Sequence, residues 1–210
     1  MAKQNFFQEH WQDDEGKPTK GLSCGRGFTI CWNSAGGTVQ VSGEIVYLGA
    51  QIEDVLSAVI SRIAYYQEGK FACDENAQAL SELEAALSIE CIDTPDDNIF
   101  NEHWTDSDEN PAGGFSSGDY FAISWQNGPL GRIGTADRRE PNGAFVETVL
   151  QAIIDRAQLL LDYPPHRFIS ENMKSDGVKF VAHLRKANEI LDSRTKRRAK
   201  AGTEGTHEGK

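Results

Sequence analysis

Asn5-Phe-Phe-Gln-Glu-His-Trp11 near the start of the chain returns as Asn98-Ile-Phe-Asn-Glu-His-Trp104. Each copy runs on to a short alternating segment, Phe28-Thr-Ile-Cys-Trp32 in the first and Phe121-Ala-Ile-Ser-Trp125 in the second. Without a gap, residues 5–32 and 98–125 are identical at 13 of 28 positions. The match resumes between residues 49–62 and 143–156, with 8 of 14 identical, and again at Glu75-Asn76 against Glu171-Asn172. Similarity at such an offset reads as a tandem duplication. The expected organisation is a first module over residues 1–92, a linker over 93–97 marked by Pro95, a second module over 98–200 and a tail over 201–210.

Phe28, Ile30 and Trp32 alternate with Thr29 and Cys31, the period of a strand with one buried face. Phe121, Ile123 and Trp125 repeat the pattern. Thr38 to Ser42 and Ile45 to Leu48 are β-rich runs flanked by glycine, which predicts a small antiparallel sheet in the first module. The second module has a Gly/Pro/Arg-rich loop there. Next, Ile52, Val55, Leu56, Val59, Ile60 and Ile63 form one helical face, as do Val146, Val149, Leu150, Ile153 and Ile154. Gly69 ends the first of these helices and Pro164-Pro165 the second. A further helix follows in each module, striped by Leu80, Leu83 and Leu87 and by Phe180, Leu184, Ala187 and Leu191. The expected fold is α+β: two repeated modules, each a small antiparallel β segment followed by an antiparallel helical hairpin. Modules of this size bury modest cores, so the two should pack as an intramolecular pseudo-dimer or enter a homo-oligomer.

The net charge is −11, which argues against binding nucleic-acid duplexes, since phosphate neutralisation needs a basic face. No apolar run is long enough to span a membrane and no leader is visible at Met1, so the expected location is a cytoplasm. Cys24, Cys31, Cys73 and Cys91 lack CxxC spacing, which reads as reduced thiols and no metal site. No phosphate-binding glycine loop, HExxH or GxSxG occurs, which moves weight from catalysis toward binding and implies no cofactor. His10 and His103, repeated within Glu-His-Trp, read first as hydrogen-bonded packing residues beside Trp11 and Trp104. Glu53 and Glu147, early in their helices, suit the helix dipole. Arg62 and Arg156 read as dipole partners or salt bridges at helix ends.

Charge is asymmetric. Arg185, Lys186, Arg194, Lys196, Arg197, Arg198 and Lys200 crowd the last helix. Arg194 and Arg198 are four apart and share a helical face, where two guanidinium groups can hold a phosphate. The tail beyond, with Gly202, Gly205, Thr206 and His207, offers backbone N–H and hydroxyl groups that suit an anion, or is simply a solvated terminus.

The order Gly143-Ala-Phe-Val-Glu147, Ile154-Asp-Arg156, Phe168, Glu171-Asn172, Arg194-Thr195, Arg198 and Gly202-Thr-Glu-Gly-Thr-His207 resembles phage proteins that sponge immune signals, the Thoeris anti-defence and anti-CBASS families. The resemblance implies a non-catalytic protein of the host bacterial cytoplasm that binds cyclic ADP-ribose isomers or cyclic oligonucleotides. It also implies homo-oligomers with pockets between paired modules. Their site residues are an aromatic near the end of the first hairpin helix, the Asn of Glu-Asn, and two tail arginines. Carried onto this chain, the first module supplies Tyr65, with Tyr66 beside it, and Asn76. The second has Leu159 at the aromatic position, Asn172, and the arginines Arg194 and Arg198, with Thr206 and His207 in the tail. The first module has Cys91, Ile92, Asp93 and Thr94 in place of the arginine tail. One composite pocket per chain is therefore expected, with Tyr65 and Asn76 facing Arg194 and Arg198. The competing readings are an acidic protein that occupies a host factor, and a nucleotide-processing enzyme using the repeated glutamates or histidines.

Overall fold

The computed structural model describes residues 4–33, 38–41, 44–89, 98–132, 134–163, 171–204 and 206, with the backbone alone at 38–41, 44–47 and 171–173. Its elements are β1 (Phe6–Gln12), β2 (Pro18–Gly25), β3 (Phe28–Trp32), β4 (Thr38–Val41), β5 (Glu44–Tyr47), α1 (Ile52–Glu68), α2 (Asp74–Leu87), β6 (Phe100–Thr105), β7 (Pro111–Gly118), β8 (Phe121–Trp125), α3 (Val146–Asp162) and α4 (Glu171–Lys200). The fold is α+β, and β4 and β5 form the small hairpin expected from the sequence.

The other strands make one antiparallel sheet of six, in the order β1-β2-β3-β8-β7-β6. β3 and β8 meet in the middle, Phe28 opposite Ile123 and Ile30 opposite Phe121. Their alternation decides which face is buried. Phe28, Ile30, Trp32, Phe121, Ile123 and Trp125 are all nearly or fully buried, while Thr29, Cys31, Ala122 and Ser124 between them are exposed. Burying each such large apolar side chain contributes about 1.5–3 kcal/mol. The buried indoles also need a partner for their N–H. Trp32 Nε1 donates to Ser23 Oγ at 2.7 Å and Trp125 Nε1 to Ser116 Oγ at 2.8 Å.

β1, β2, β6 and β7 are strands that the apolar pattern did not announce. β2 and β7 are rich in glycine and serine, and β1 and β6 are sheet edges. The edges turn Phe7, Trp11, Phe100 and Trp104 outward, each at least 40% exposed. An edge strand with aromatics on its solvent face shows no inward stripe to read.

The four helices cover the opposite face. Each hairpin begins where the chain returns beside a central strand: Ala50 N–H donates to the Cys31 carbonyl at 2.8 Å, and Ala144 N–H to the Ser124 carbonyl at 2.8 Å. α1 and α3 then lay Val55, Leu56, Val59 and Ile63, and Val149, Leu150 and Ile153, into the core. Gly69 caps α1 as expected. Pro164-Pro165, Cys91, the linker 93–97 and His207 lie outside the described residues. α4 contributes Phe180, Leu184, Ala187 and Leu191 and packs along both α3 and α2. That packing carries the last turns of α4 across to the start of α2. Among the described residues no helix is long and apolar enough to cross a membrane.

Candidate functional site

A cavity of about 170 Å³ opens where the two halves meet at the C-terminal end of α4. Its walls are Tyr66, Phe71 and Cys73 from the α1–α2 corner, Phe145 and Glu147 from the start of α3, and Arg194, Arg197 and Arg198 from α4. Pro129 and Leu130 close one side.

Arg194 is held on two sides. One terminal nitrogen donates to Asn76 Oδ1 at 2.5 Å and the other to Glu147 Oε1 at 2.9 Å. Thr195 Oγ1 donates to the same carboxylate oxygen at 3.2 Å. Asn76 is fully buried, and its Nδ2 donates to the Phe71 carbonyl at 2.9 Å. This one amide therefore fixes both the corner that carries Phe71 and the guanidinium opposite. Arg197 binds Glu75 through two nitrogens, at 2.6 and 3.1 Å, and so draws the Glu75 carboxyl below its ordinary range.

Arg198 lies with its guanidinium carbon 5.7 Å from the Phe71 ring centre, within the range of a cation–π contact. Burial, then the neighbouring charges of Arg194 and Arg197, lower its pKa from the ordinary arginine value. An anion entering the cleft would relieve that repulsion. The tail makes this geometry possible. Gly202 takes φ +70°, its N–H donates to the Ala199 carbonyl, and the Thr203 N–H reaches back to the Arg198 carbonyl, both at 3.0 Å. These are the bonds of a Schellman cap, which ends α4 and folds the chain back. Arg198 then donates to the carbonyls of Thr203 at 3.2 Å and Thr206 at 2.7 Å. Glu204, 5% exposed, is brought into the cleft wall.

The structure thus brings together Asn76, Arg194, Arg198 and Thr206 from the expected set. Tyr65 sits elsewhere: its ring stacks on His103 with centroids 5.0 Å apart, and the tyrosine lining the cleft is its neighbour Tyr66. A step of one residue turns a helical side chain by about 100°, so adjacent tyrosines cannot share a face. Asn172 is in the first turn of α4, and its side chain is outside the described residues, as is His207. Thr206 takes part through its backbone carbonyl, while its hydroxyl donates to the Thr203 carbonyl at 2.9 Å. Sequence reasoning put Tyr65 forward with Tyr66 only beside it, and gave no binding role to Phe71, Glu147 or Glu204. For Tyr66 a signal existed, since it continues the apolar stripe of α1 at three residues after Ile63.

Arg62 and Arg156 also differ from expectation. Both are essentially fully buried and hold backbone rather than helix ends. Arg62, from the first half, donates to the carbonyls of Ala112 at 2.6 Å and Gly113 at 2.7 Å in β7, and its Nε donates to the Tyr66 hydroxyl at 3.1 Å. Arg156, from the second half, donates to the carbonyls of Thr19, at 2.7 Å, and Asn33. Each arginine thus ties its helix to the other half's strands. Burial lowers the pKa of Arg156 to about 10. The histidines pack as expected, with the arginines as partners. His103 Nδ1 lies 3.4 Å from Arg62, which can only donate, so Nε2 carries the proton toward Ser61 Oγ at 3.0 Å. Burial, then Arg62, lower the His103 pKa to about 4.

Fold and cleft together define an α+β protein with an arginine-walled, aromatic-lined site between its halves. Over 39 residues the chain is 46% identical to Thoeris anti-defense 1 of Bacillus phage SBSphiJ7. That stretch is 19% of this chain and 28% of the phage protein, so the match spans well under half of the relative's length. No family model and no solved structure matches the chain.

Proposed function

We propose that this protein acts in phage anti-defence by binding a cyclic nucleotide immune signal, a cyclic ADP-ribose isomer or a cyclic oligonucleotide, and withholding it uncleaved. The partial likeness to a Thoeris anti-defense protein points to the biological setting. The observation that carries the ligand class is the cleft itself, in which Arg194 and Arg198 stand beside Tyr66 and Phe71. Stacked rings hold bases and paired guanidinium groups hold phosphates, the two halves of a nucleotide grip. Asn76 acts here as the positioning residue. The reading of the chain as two diverged copies belongs to the same proposal and rests on the 13 shared residues of 28. It gives one site per chain, because α2 stops at Leu87 whereas α4 runs on to carry its arginines.

A second reading, occupation of a host protein, is favoured by Phe7, Trp11, Phe100 and Trp104 exposed on the outer face of the sheet. One experiment separates these from catalysis. The protein is incubated with a cyclic ADP-ribose isomer, the mixture filtered, and the retained protein heat-denatured. Recovery of the intact ligand from the denatured protein supports sequestration. Recovery of an altered nucleotide would make the protein an enzyme. No depletion of the free ligand would favour the protein partner.

A further inference from the structure

The face of the six-stranded sheet turned away from the helices carries large aromatic side chains in a repeated order. Along β1 it presents Phe7, Glu9 and Trp11, and along β6 Phe100, Glu102 and Trp104, all exposed. Each edge strand loses register at its tryptophan. His10 pairs with Gly21 but Gln12 with Pro18, so Thr19 and Lys20 together stand against Trp11. Ala112 and Gly113 stand against Trp104 in the same way. Such a bulge re-aims the side chain beside it. A buried guanidinium holds each bulge from the inner side: Arg156 donates to the Thr19 carbonyl, and Arg62 to those of Ala112 and Gly113. Gly113 leaves the Trp104 indole its place, since a Cβ there would fall 2.6 Å from Nε1. The outward tryptophans are therefore a built feature of both edges.

We propose that this face docks a cationic protein segment, one that sets arginine or lysine side chains beside apolar ones. It is separate from the arginine cleft, whose walls come mainly from the α1–α2 corner, α3 and α4. Docking here holds whether or not the cleft takes a nucleotide. Charge selects the partner. On each edge strand a carboxylate separates the two rings, and the turn beyond adds Asp14 and Glu15 in one half, Asp108 and Glu109 in the other, all exposed. Residues 98–118 hold four carboxylates and neither Lys nor Arg. A cation set against a tryptophan ring gains from its π face and from the carboxylate two residues away. The same groups disfavour a second copy of this face, since like charges would meet. The bulges decide how the partner sits. A bulged edge resists strand addition, so the contact is made through the side chains of the face. Rings and carboxylates alternate at every second residue, so the complementary segment alternates apolar and basic side chains along one of its own faces.

Trp11 and Trp104 are exposed while Trp32 and Trp125 are each 1% exposed, so acrylamide quenching of tryptophan fluorescence on the full chain reads this face directly. The probes are a peptide of three Arg-Ser-Leu-Ser repeats and one of three Glu-Ser-Leu-Ser repeats. The arginine peptide should protect the indoles from acrylamide, and the glutamate peptide should not. In calorimetry, Trp11→Ser with Trp104→Ser should weaken the arginine peptide at least about tenfold, the scale of a lost interface anchor. Glu9→Gln with Glu102→Gln, which keeps the rings, should weaken it about threefold or more, the scale of two exposed charge pairs. Glu84→Gln with Glu189→Gln removes the same charge from exposed positions on α2 and α4 and should leave binding unchanged. Equal protection by both peptides, protection by neither, or equal losses from the two glutamate pairs overturns the docking face. So does sedimentation showing that the chain alone self-associates and that Trp11→Ser with Trp104→Ser abolishes it, since a second copy would then be the occupant.

Discussion

Arg194 and Asn76, 118 residues apart in sequence, share a hydrogen bond of 2.5 Å that ties the last helix to the start of α2. The same amide donates to the Phe71 carbonyl, so one buried side chain sets the distance between a guanidinium and an aromatic ring. Asn76→Ala should leave that carbonyl without this donor and Arg194 without this acceptor. The expected cost is about 1–3 kcal/mol, read from urea unfolding. Calorimetry on the folded variant should show binding of a cyclic ADP-ribose isomer weakened as well. A variant that loses stability yet binds as wild type would separate the residue from the site.

Arg62 satisfies two backbone carbonyls of β7 from inside the core. Arg62→Met keeps most of the volume and removes every donor. It should destabilise by about 3 kcal/mol or more, since each orphaned buried acceptor costs about 1–3 kcal/mol. Arg156→Met, which removes the equivalent bonds to Thr19 and Asn33, should behave alike. A loss under about 1 kcal/mol in either would contradict the role given to these bonds.

His103 titrates in the folded protein near 4, against 6.5 as its ordinary value. Between those values the unfolded chain holds the proton and the folded one does not, so stability falls as pH falls from about 6.5 to about 4 and the effect is complete below that. Glu75 and Glu82, whose pKa values are lowered by their cationic partners, add loss of the same sign at acid pH. The difference between wild type and His103→Gln isolates the histidine. The variant should show the shallower dependence in that window, measured by thermal unfolding across pH.

Gly27 and Tyr120 occupy matching turns, both with positive φ, at +83° and +65°. Each carbonyl accepts from the other half's central strand, Gly27 from Ser124 N–H at 2.6 Å and Tyr120 from Cys31 N–H at 2.9 Å. A Cβ on Gly27 would fall 2.4 Å from the Ala144 nitrogen and 2.5 Å from the Ser124 carbonyl oxygen, neither of which can move freely. Gly27→Ala should therefore destabilise strongly, by about 2 kcal/mol or more. Tyr120→Gly should be neutral or stabilise by up to about 1 kcal/mol, because it relieves a left-handed non-glycine residue. Calorimetric unfolding of the pair decides whether the junction is as constrained as the geometry requires.

What could be read in the sequence follows from what periodicity reports. Phe28, Ile30 and Trp32 announce β3, and the α1 and α3 stripes announce helices, because in each the burial has one side. The edge strands stayed hidden since Trp11 and Trp104 face solvent. The joining of both sets of strands into one sheet depends on the β3–β8 pairing, a contact between distant segments that no local pattern encodes. Arg194 and Arg198 were legible as a shared face of one helix. Their partners were not, because Asn76 and Glu147 reach them only through the packing of α4 on α2 and α3. Arg62 could have been placed inward, since it falls seven residues after Val55 and three after Val59. Charge alone misled that reading.

The central claim is that a base stacks in the cleft beside Tyr66 while Arg198 holds a phosphate. Calorimetric titration of a cyclic ADP-ribose isomer into wild type, Tyr66→Leu, Tyr65→Leu and Arg198→Ala tests it most directly. The account predicts that Tyr66→Leu and Arg198→Ala each weaken binding at least about tenfold, the scale of one lost stacking or charged contact, and that Tyr65→Leu weakens it far less. Equal affinity in wild type and Arg198→Ala, or a larger loss from Tyr65 than from Tyr66, would contradict it.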